Sequence, residues 1–457
     1  MLIHHRGTEA GKSPITGSTA GEISASVRDL VERGEITGDA QLPPARLLAE
    51  ILGVNRNTVI AAYRQLVQAG IAVTRGRGGT WIPGSAPFAV EGFAPDTVLS
   101  DVGNGNPNAK LLPDLSGALA SVSGAHVLYG QDACEPGLAE WATRWISQDQ
   151  PREFRLMLSA GAVDGVERLL SQALTHGDAV GLEDPCFLNS VHTAHIAGYR
   201  AVPIPMDDEG MTTAGLRAAL AAGVRAVVCT PRAHNPTGTS MTAARAAEFR
   251  EILADHPYVL VIEDDHFSML STHDYNTIIG EGHRRWALVR SVSKFLGPDL
   301  RLAFIATDTE TATRLASRLN PGTTWVSHLL QRLALHQLSN PAVRREISHA
   351  RAEYARRNAA FSALLTDRGI PVTTQDGLNV WIDVDGSARS VAERLMRRGW
   401  LARTGEEFSL GADDDASRHL RLTIHDLDPS TMSALADDLA AALPAAASSA
   451  PGGERRR

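Results

Sequence analysis

A lysine stands at position 294 in the stretch SVSKFLGPDLRLA, and it is one of three lysines in 457 residues, the others being Lys12 and Lys110. Of the 44 Lys and Arg residues, 41 (44 minus 3) are therefore arginine. Arginine serves wherever only a positive charge is wanted, but a guanidinium does not lose its proton and attack a carbonyl carbon. A surface lysine is the plain alternative, and the arginine-rich composition weighs against it. Asp264 and Asp265 end the apolar run YVLVI, where a carboxylate needs a partner that offsets its desolvation. A protonated heterocycle nitrogen would serve, as would a structural hydrogen-bond donor. Asn235, ahead of Pro236 and Gly238, reads alone as a turn, and Phe187 alone reads as core. Ser159 to Val163 lies between a strand-like run and a long helical pattern, so the backbone N–H groups of Gly161, Ala162 and Val163 could hold a phosphate at a helix start. Taken together, an amine at Lys294, a cradle of Ser291, Ser293 and Arg301, an aspartate for a ring nitrogen and an aromatic for a ring face describe a pyridoxal phosphate site.

These residues must be brought together by the elements that carry them. From about residue 155 onward, short β-rich runs alternate with helical patterns, which predicts an α/β fold with a mostly parallel sheet. FRLML leads into SAGAVDGVERLLSQAL, DAVGL into EDPCF, RAVVCT into PRAHNPTG, YVLVI into EDDHF, and WALVRSV into SKFLGPDLR. Polar residues thus follow five strands, at the ends where open α/β sheets place ligands.

The first 83 residues have a different pattern. EISASVRDLVERGEI spaces Ile23, Val27, Leu30 and Val31 as one helical face. In LPPARLLAEILGVNRNTVIAAYRQLVQAG, Pro43 and Pro44 open a helix that Gly53 closes, and Asn55 caps a second helix from Arg56 to about Gln68. Two β-like segments, IAVTR and TWIP, follow with a glycine turn between them. The prediction is a winged helix-turn-helix whose second helix leads into the major groove with Arg56, Asn57 and Thr58, while Arg75 and Arg77 of the wing hold the backbone. From Arg46 to Ile82 five arginines face Glu50 alone, although the whole chain carries a net charge of −8. A small helical domain with solvated arginines is the alternative.

Residues 42–71 resemble the GntR-type DNA-binding domain nearly throughout, and the resemblance implies contacts to double-stranded operator DNA by Arg46, Arg56 and the wing around Arg77 and Gly78. Residues 99 to about 440 resemble an aminotransferase class I/II domain of fold type I, with a mostly parallel sheet and a smaller C-terminal α+β subdomain. This order of domains is that of the MocR/GabR-type regulators, and EDDHFSML with RWALVRSVSKFLGPDLRLAFIATD is most similar to their PtsJ-like branch, associated with vitamin B6 metabolism. The resemblance implies that Lys294 forms the Schiff base with pyridoxal 5′-phosphate, Asp264 partners the pyridine nitrogen, Asn235 donates to the ring O3′ and Phe187 stacks on the ring. It implies that Tyr129 reaches the phosphate of a neighbouring subunit in a homodimer, and that Arg421 in RHLRLTIHD binds the carboxylate of a substrate or effector. His266 stands where many relatives carry a tyrosine, and YGQDAC has Cys134 where the usual pattern has glycine. Both departures weigh against efficient transamination.

The expected organisation is a winged helix over 18–83, a linker over 84–100 that is rich in proline, the aminotransferase-like domain over 101–440 and a disordered tail over 441–457. Cys134, Cys186 and Cys229 form no CxxC pair, so neither a metal centre nor a disulfide framework is expected. The start MLIHHRGTEAGKS lacks the apolar core of a signal peptide and no apolar run approaches a membrane span, so a cytoplasmic location is expected. The leading reading is a transcriptional regulator that depends on pyridoxal phosphate and senses the cofactor, an amino compound, or both. An active aminotransferase with an accessory DNA-binding module is the alternative from a different class, and a cofactor-free dimerisation scaffold is a third.

Overall fold

The computed structural model describes residues 13–36, 38, 40–68, 71–74, 79–82, 91–94, 97–122, 126–319, 324–411 and 415–444. They form two compact units, the first drawn from Met1–Ala89 with Ala194–Arg200 and the second from Val90–Thr193 and Ala201–Arg457.

In the first unit the helix Ala20–Glu32 begins at Thr19, whose side chain and that of Glu22 satisfy each other's backbone N–H groups in a capping box. Its apolar stripe, Ile23, Val27 and Leu30, is buried. The helix Ala45–Leu52 follows Pro44 and ends at Gly53, which takes the left-handed φ of 66° that a side chain would resist. Asn55 Oδ1 accepts from the Asn57 amide at 2.8 Å, at the start of the helix Arg56–Gln68. That helix buries Val59, Ala62, Tyr63 and Leu66 into the common core. Ala40–Gln41, Thr80–Ile82 and Val73–Thr74 close the unit as a small antiparallel sheet. The helix pair and wing strands stand as the sequence predicts. Of the wing residues, Arg75, Arg77 and Gly78 lie outside the described residues.

The second unit is built on an eight-stranded sheet in the order Arg155–Ser159, Ala303–Thr307, Trp286–Ser291, Leu260–Asp264, Ala226–Cys229, Ala179–Asp184, Arg200–Asp207 and Gly210–Met211. Leu260–Asp264 runs parallel to both its neighbours, and Ala179–Asp184 is parallel to Ala226–Cys229. Ala303–Thr307 is antiparallel to both Trp286–Ser291 and Arg155–Ser159, which therefore share a direction. These five strands share a direction, and they are the five whose carboxyl ends carry polar residues. Strands buried on both faces read as nearly continuous apolar runs, and Trp286–Ser291 is buried at every position.

A smaller subdomain holds an antiparallel sheet of Val380–Asp383, His419–Leu422 and Arg403–Thr404. Alternation along His419–Leu422 sends Leu420 and Leu422 into its core and Arg421 to the opposite face. Ser100–Asp101 pairs in parallel with Trp400–Leu401. The segment expected to be only a linker over 84–100 is thus corrected in its later part. Residues from Glu91 onward belong to the second unit, held by the Gly92 amide on Asn104 O at 2.8 Å and the Ala94 amide on Asp101 Oδ2 at 2.7 Å. The last helix, Pro429–Ala442, extends two residues past the expected domain end, and 445–457 lie outside the described residues.

Candidate functional site

A cavity of about 290 Å³ opens at the carboxyl ends of the co-directional strands. Lys294 projects into it from the short helix Ser293–Leu296, which directly follows Trp286–Ser291. Its Nζ donates to Gly105 O at 3.1 Å. Burial lowers the amine's pKa, and Arg421 adds to the shift, while Glu91 and Asp264 oppose it. The net shift is downward, towards the deprotonated form that can act as a nucleophile.

Asp264 ends the neighbouring strand and also lines the cavity. Its Oδ1 is sealed from solvent and has no hydrogen-bond partner among the described residues. Burial, together with the nearby Asp265 and Glu183, pushes its pKa up to about 7. Asp265 is differently placed: Arg232 holds it with two hydrogen bonds of 2.8 Å and Arg290 Nε adds a third at 2.8 Å. Successive strand positions point to opposite faces, so the adjacent carboxylates receive opposite surroundings. One is saturated, and the other lacks a donor. His266 lines the cavity beyond them, and burial with the Lys294 charge lowers its pKa to about 4, leaving a neutral imidazole.

At another end of the cavity the helix Ala162–Ala173 starts at Gly161, with φ of 97° and no side-chain cap. A Cβ at Gly161 would lie 3.3 Å from the Arg301 guanidinium carbon. Ala162, Val163, Ser291, Ser293 and Arg301 all line this region. Ser291 Oγ bridges to Ser293 Oγ at 3.0 Å and accepts from the Ser293 amide at 3.1 Å. Uncapped helix N–H groups, hydroxyls and a guanidinium form an anion cradle. Phe187 and Asn235 complete the lining expected from the sequence. The sealed, unpartnered Asp264 oxygen fits a ring N–H, the cradle fits a phosphate and Lys294 fits an aldehyde, so these residues fit pyridoxal phosphate.

Two expected residues have other surroundings. Tyr129 is 92% exposed and is not in the cavity of its own chain, its ring lying 5.5 Å from that of Trp325. Arg421 holds a carboxylate, but one belonging to this chain: its Nη1 and Nη2 donate to Glu91 Oε1 and Oε2 at 2.6 and 2.9 Å. The guanidinium to which the resemblance assigns an effector carboxylate is paired with Glu91 in this structure. Asn235 Oδ1 also accepts from Arg421 Nη1 at 3.0 Å, and Asn235 Nδ2 donates to Glu91 Oε1 at 3.2 Å. Glu91, Gly105, Asn106, Asn189, Ser190 and Thr230 line the cavity without having been singled out in the sequence. Thr230 follows one of the five strands, so its position was open to that argument; Glu91 carried no local signal.

In the first unit, Arg46, Arg56 and Asn57 are exposed and Thr58 partly so. Arg46 has only a 3.5 Å contact with Glu50 on the solvent side, and such a pair is easily exchanged for a phosphate. Arg56, Asn57 and Thr58 open the second helix of the pair, the end that leads in this motif.

Comparison with known proteins matches residues 120–439 to the aminotransferase class I and II family and residues 19–82 to the bacterial regulatory proteins of the gntR family. The vitamin B6 salvage pathway transcriptional repressor PtsJ of Salmonella typhimurium is 44% identical over 430 residues, covering 94% of this chain and 99% of that protein. The pyridoxine biosynthesis transcriptional regulator PdxR of Corynebacterium glutamicum is 25% identical over 404 residues, covering 83% of this chain and 86% of its own. Among solved structures, the kynurenine aminotransferase of Pyrococcus horikoshii has the same fold, with a TM-score of 0.69 and 21% identity over 76% of this chain and 91% of that one.

Proposed function

The chain belongs to the MocR/GabR-type regulators, in which a GntR-type winged helix is fused to an aminotransferase class I and II domain, and from this premise we propose that it is a transcriptional regulator of vitamin B6 metabolism that reads pyridoxal phosphate. The observation that carries the reading is the pairing, in one chain, of a helix whose leading Arg56 and Asn57 are exposed with a cavity whose sealed Asp264 oxygen lacks a donor among the described residues. Pyridoxal phosphate supplies an aldehyde for an amine and an electron-withdrawing ring. The rest is done by the chain. Burial lowers the pKa of the Lys294 amine and so eases the loss of the proton that a nucleophile must shed. Asp264 would accept the ring N–H, a contact that would stabilise the carboxylate that burial otherwise disfavours. Gly161, Ala162 and Val163 offer backbone N–H groups, and Ser291, Ser293 and Arg301 offer side chains, to the phosphate. Asn235 and His266, which line the same cavity, would hold the ring oxygen, and Phe187 would lie against the ring face.

A homodimer is part of this proposal. The exposed Tyr129 beside Trp325 supports it, because a tyrosine outside its own cavity is free to reach that of a second copy. A reader of operator DNA works in the cytoplasm with its genes. Whether turnover also occurs bears on the second reading, an active aminotransferase, which the complete lysine and phosphate set favours. Footprinting on the DNA upstream of the protein's own gene, with and without pyridoxal phosphate, tests the leading reading. A shift in operator affinity on cofactor addition is expected. Unchanged affinity at saturating cofactor, or rapid conversion of ordinary amino acids, overturns it in favour of the enzyme.

A further inference from the structure

Arg421 is fully buried, and Glu91 is its one ion-pair partner among the described residues. Both terminal nitrogens of the guanidinium are occupied by Glu91, with Asn235 Oδ1 and Gly103 O as additional acceptors at 3.0 and 2.5 Å. Although burial pushes the Glu91 carboxyl upward, Arg421, Lys294 and Arg403 together hold it below the usual carboxylate range. The surroundings are also shaped for it. Gly105 has φ of 69°, and a Cβ there would collide with Glu91 Oε2 and approach Arg421 Nη2 to 3.2 Å. Glu91 itself lines the cavity, as does Lys294.

We propose that Glu91 is a built-in carboxylate filling the place where a ligand's carboxylate would pair with Arg421, so that the cavity takes the B6 vitamer and simple amines and discriminates against α-amino acids. This rests on the reading that the cavity holds pyridoxal phosphate. An entering amino acid must either draw Glu91 away from a buried guanidinium or place a second carboxylate beside it. The first leaves Arg421 uncompensated during the exchange, and the second sets two like charges together away from water. A tethered carboxylate competes at an effective concentration in about the millimolar range, without being diluted. An amine without a carboxylate asks nothing of Arg421 and meets no such competition.

The test uses the full chain loaded with pyridoxal phosphate and compares L-alanine with ethylamine, which differ by a carboxylate. Apparent affinities are read from displacement of the cofactor absorbance band, and thermal melting in each ligand gives a second readout. In the wild type, L-alanine is expected to bind no better than ethylamine. In Glu91→Gln, which keeps the shape and removes the charge, L-alanine should gain about tenfold or more over ethylamine. A wild type that already prefers L-alanine about tenfold overturns the proposal without any variant, as does an equal gain for both ligands in Glu91→Gln. Absence of a cofactor band in the wild type instead overturns the underlying assignment of pyridoxal phosphate. The two failures are thus distinguishable.

Discussion

Lys294 and Asp264 face one cavity with opposite proton demands, since burial favours a neutral amine and a neutral acid alike. Lys294→Ala should abolish the absorbance band of the lysine-linked cofactor, and persistence of that band in the purified variant would rule out Lys294 as the linking amine. Asp264 gives a pH signature. Its pKa rises from 3.8 to about 7 in the cofactor-free folded protein. A raised carboxyl pKa means the folded state retains a proton that the unfolded chain has released. Stability from this group is therefore present at acid pH and is lost as pH climbs from about 4 towards 7, the reverse of a salt-bridged carboxylate. Glu263 also rises to about 7 because it is buried, but it accepts hydrogen bonds from Tyr275, Thr277 and the Ile278 amide. Comparing cofactor-free Asp264→Asn with wild type isolates Asp264: the variant should lose less stability between pH 5 and about 8, by the order of a few kcal/mol in denaturant melts. Sequence placed two candidates side by side at 264 and 265. The choice could not be read there, because Arg232 and Arg290, which saturate Asp265, come from other parts of the chain.

At the scale of elements, five strand ends carry most of the lining, and these were legible because each apolar run is followed by polar residues. The reversed strand Ala303–Thr307 was not, since a run buried on both faces has no direction in its composition. Irregular segments were less legible still. Glu91, Gly105 and Asn106 are positioned by tertiary contacts, such as the Gly105 amide on Thr423 Oγ1 at 3.0 Å, for which no local periodicity exists. Gly161→Ala should test the helix start, where a φ of 97° strains any side chain and a Cβ would press on the Arg301 guanidinium at 3.3 Å. Cofactor affinity is expected to fall by about tenfold in an absorbance titration, with a stability cost of about 1 kcal/mol. In the winged helix, Arg56→Ala should reduce operator affinity and lower the slope of log affinity against log salt by about 1, as expected for one lost phosphate contact. The cofactor band should be unchanged; its loss would mean that the substitution unfolds the chain.

Across the whole molecule, both units were visible in the sequence because their patterns differ so strongly: helix periodicity with arginines in one, alternating strands and helices in the other. Their connection was less so. Proline and the lack of periodicity pointed to a tether, yet part of it supplies the carboxylate that occupies Arg421. The scarcity of lysine has its own consequence at this scale. Pyridoxal phosphate is an aldehyde, and any accessible amine is a sink for it. A chain that meets its needs for surface charge with guanidinium groups has few such sinks: beyond Lys294 its lysines are Lys12 and the exposed Lys110. A detector built this way does not consume its own analyte, and its occupancy follows the free concentration of the vitamer rather than a background of surface adducts. Borohydride trapping followed by peptide mass mapping should accordingly find the label concentrated at Lys294.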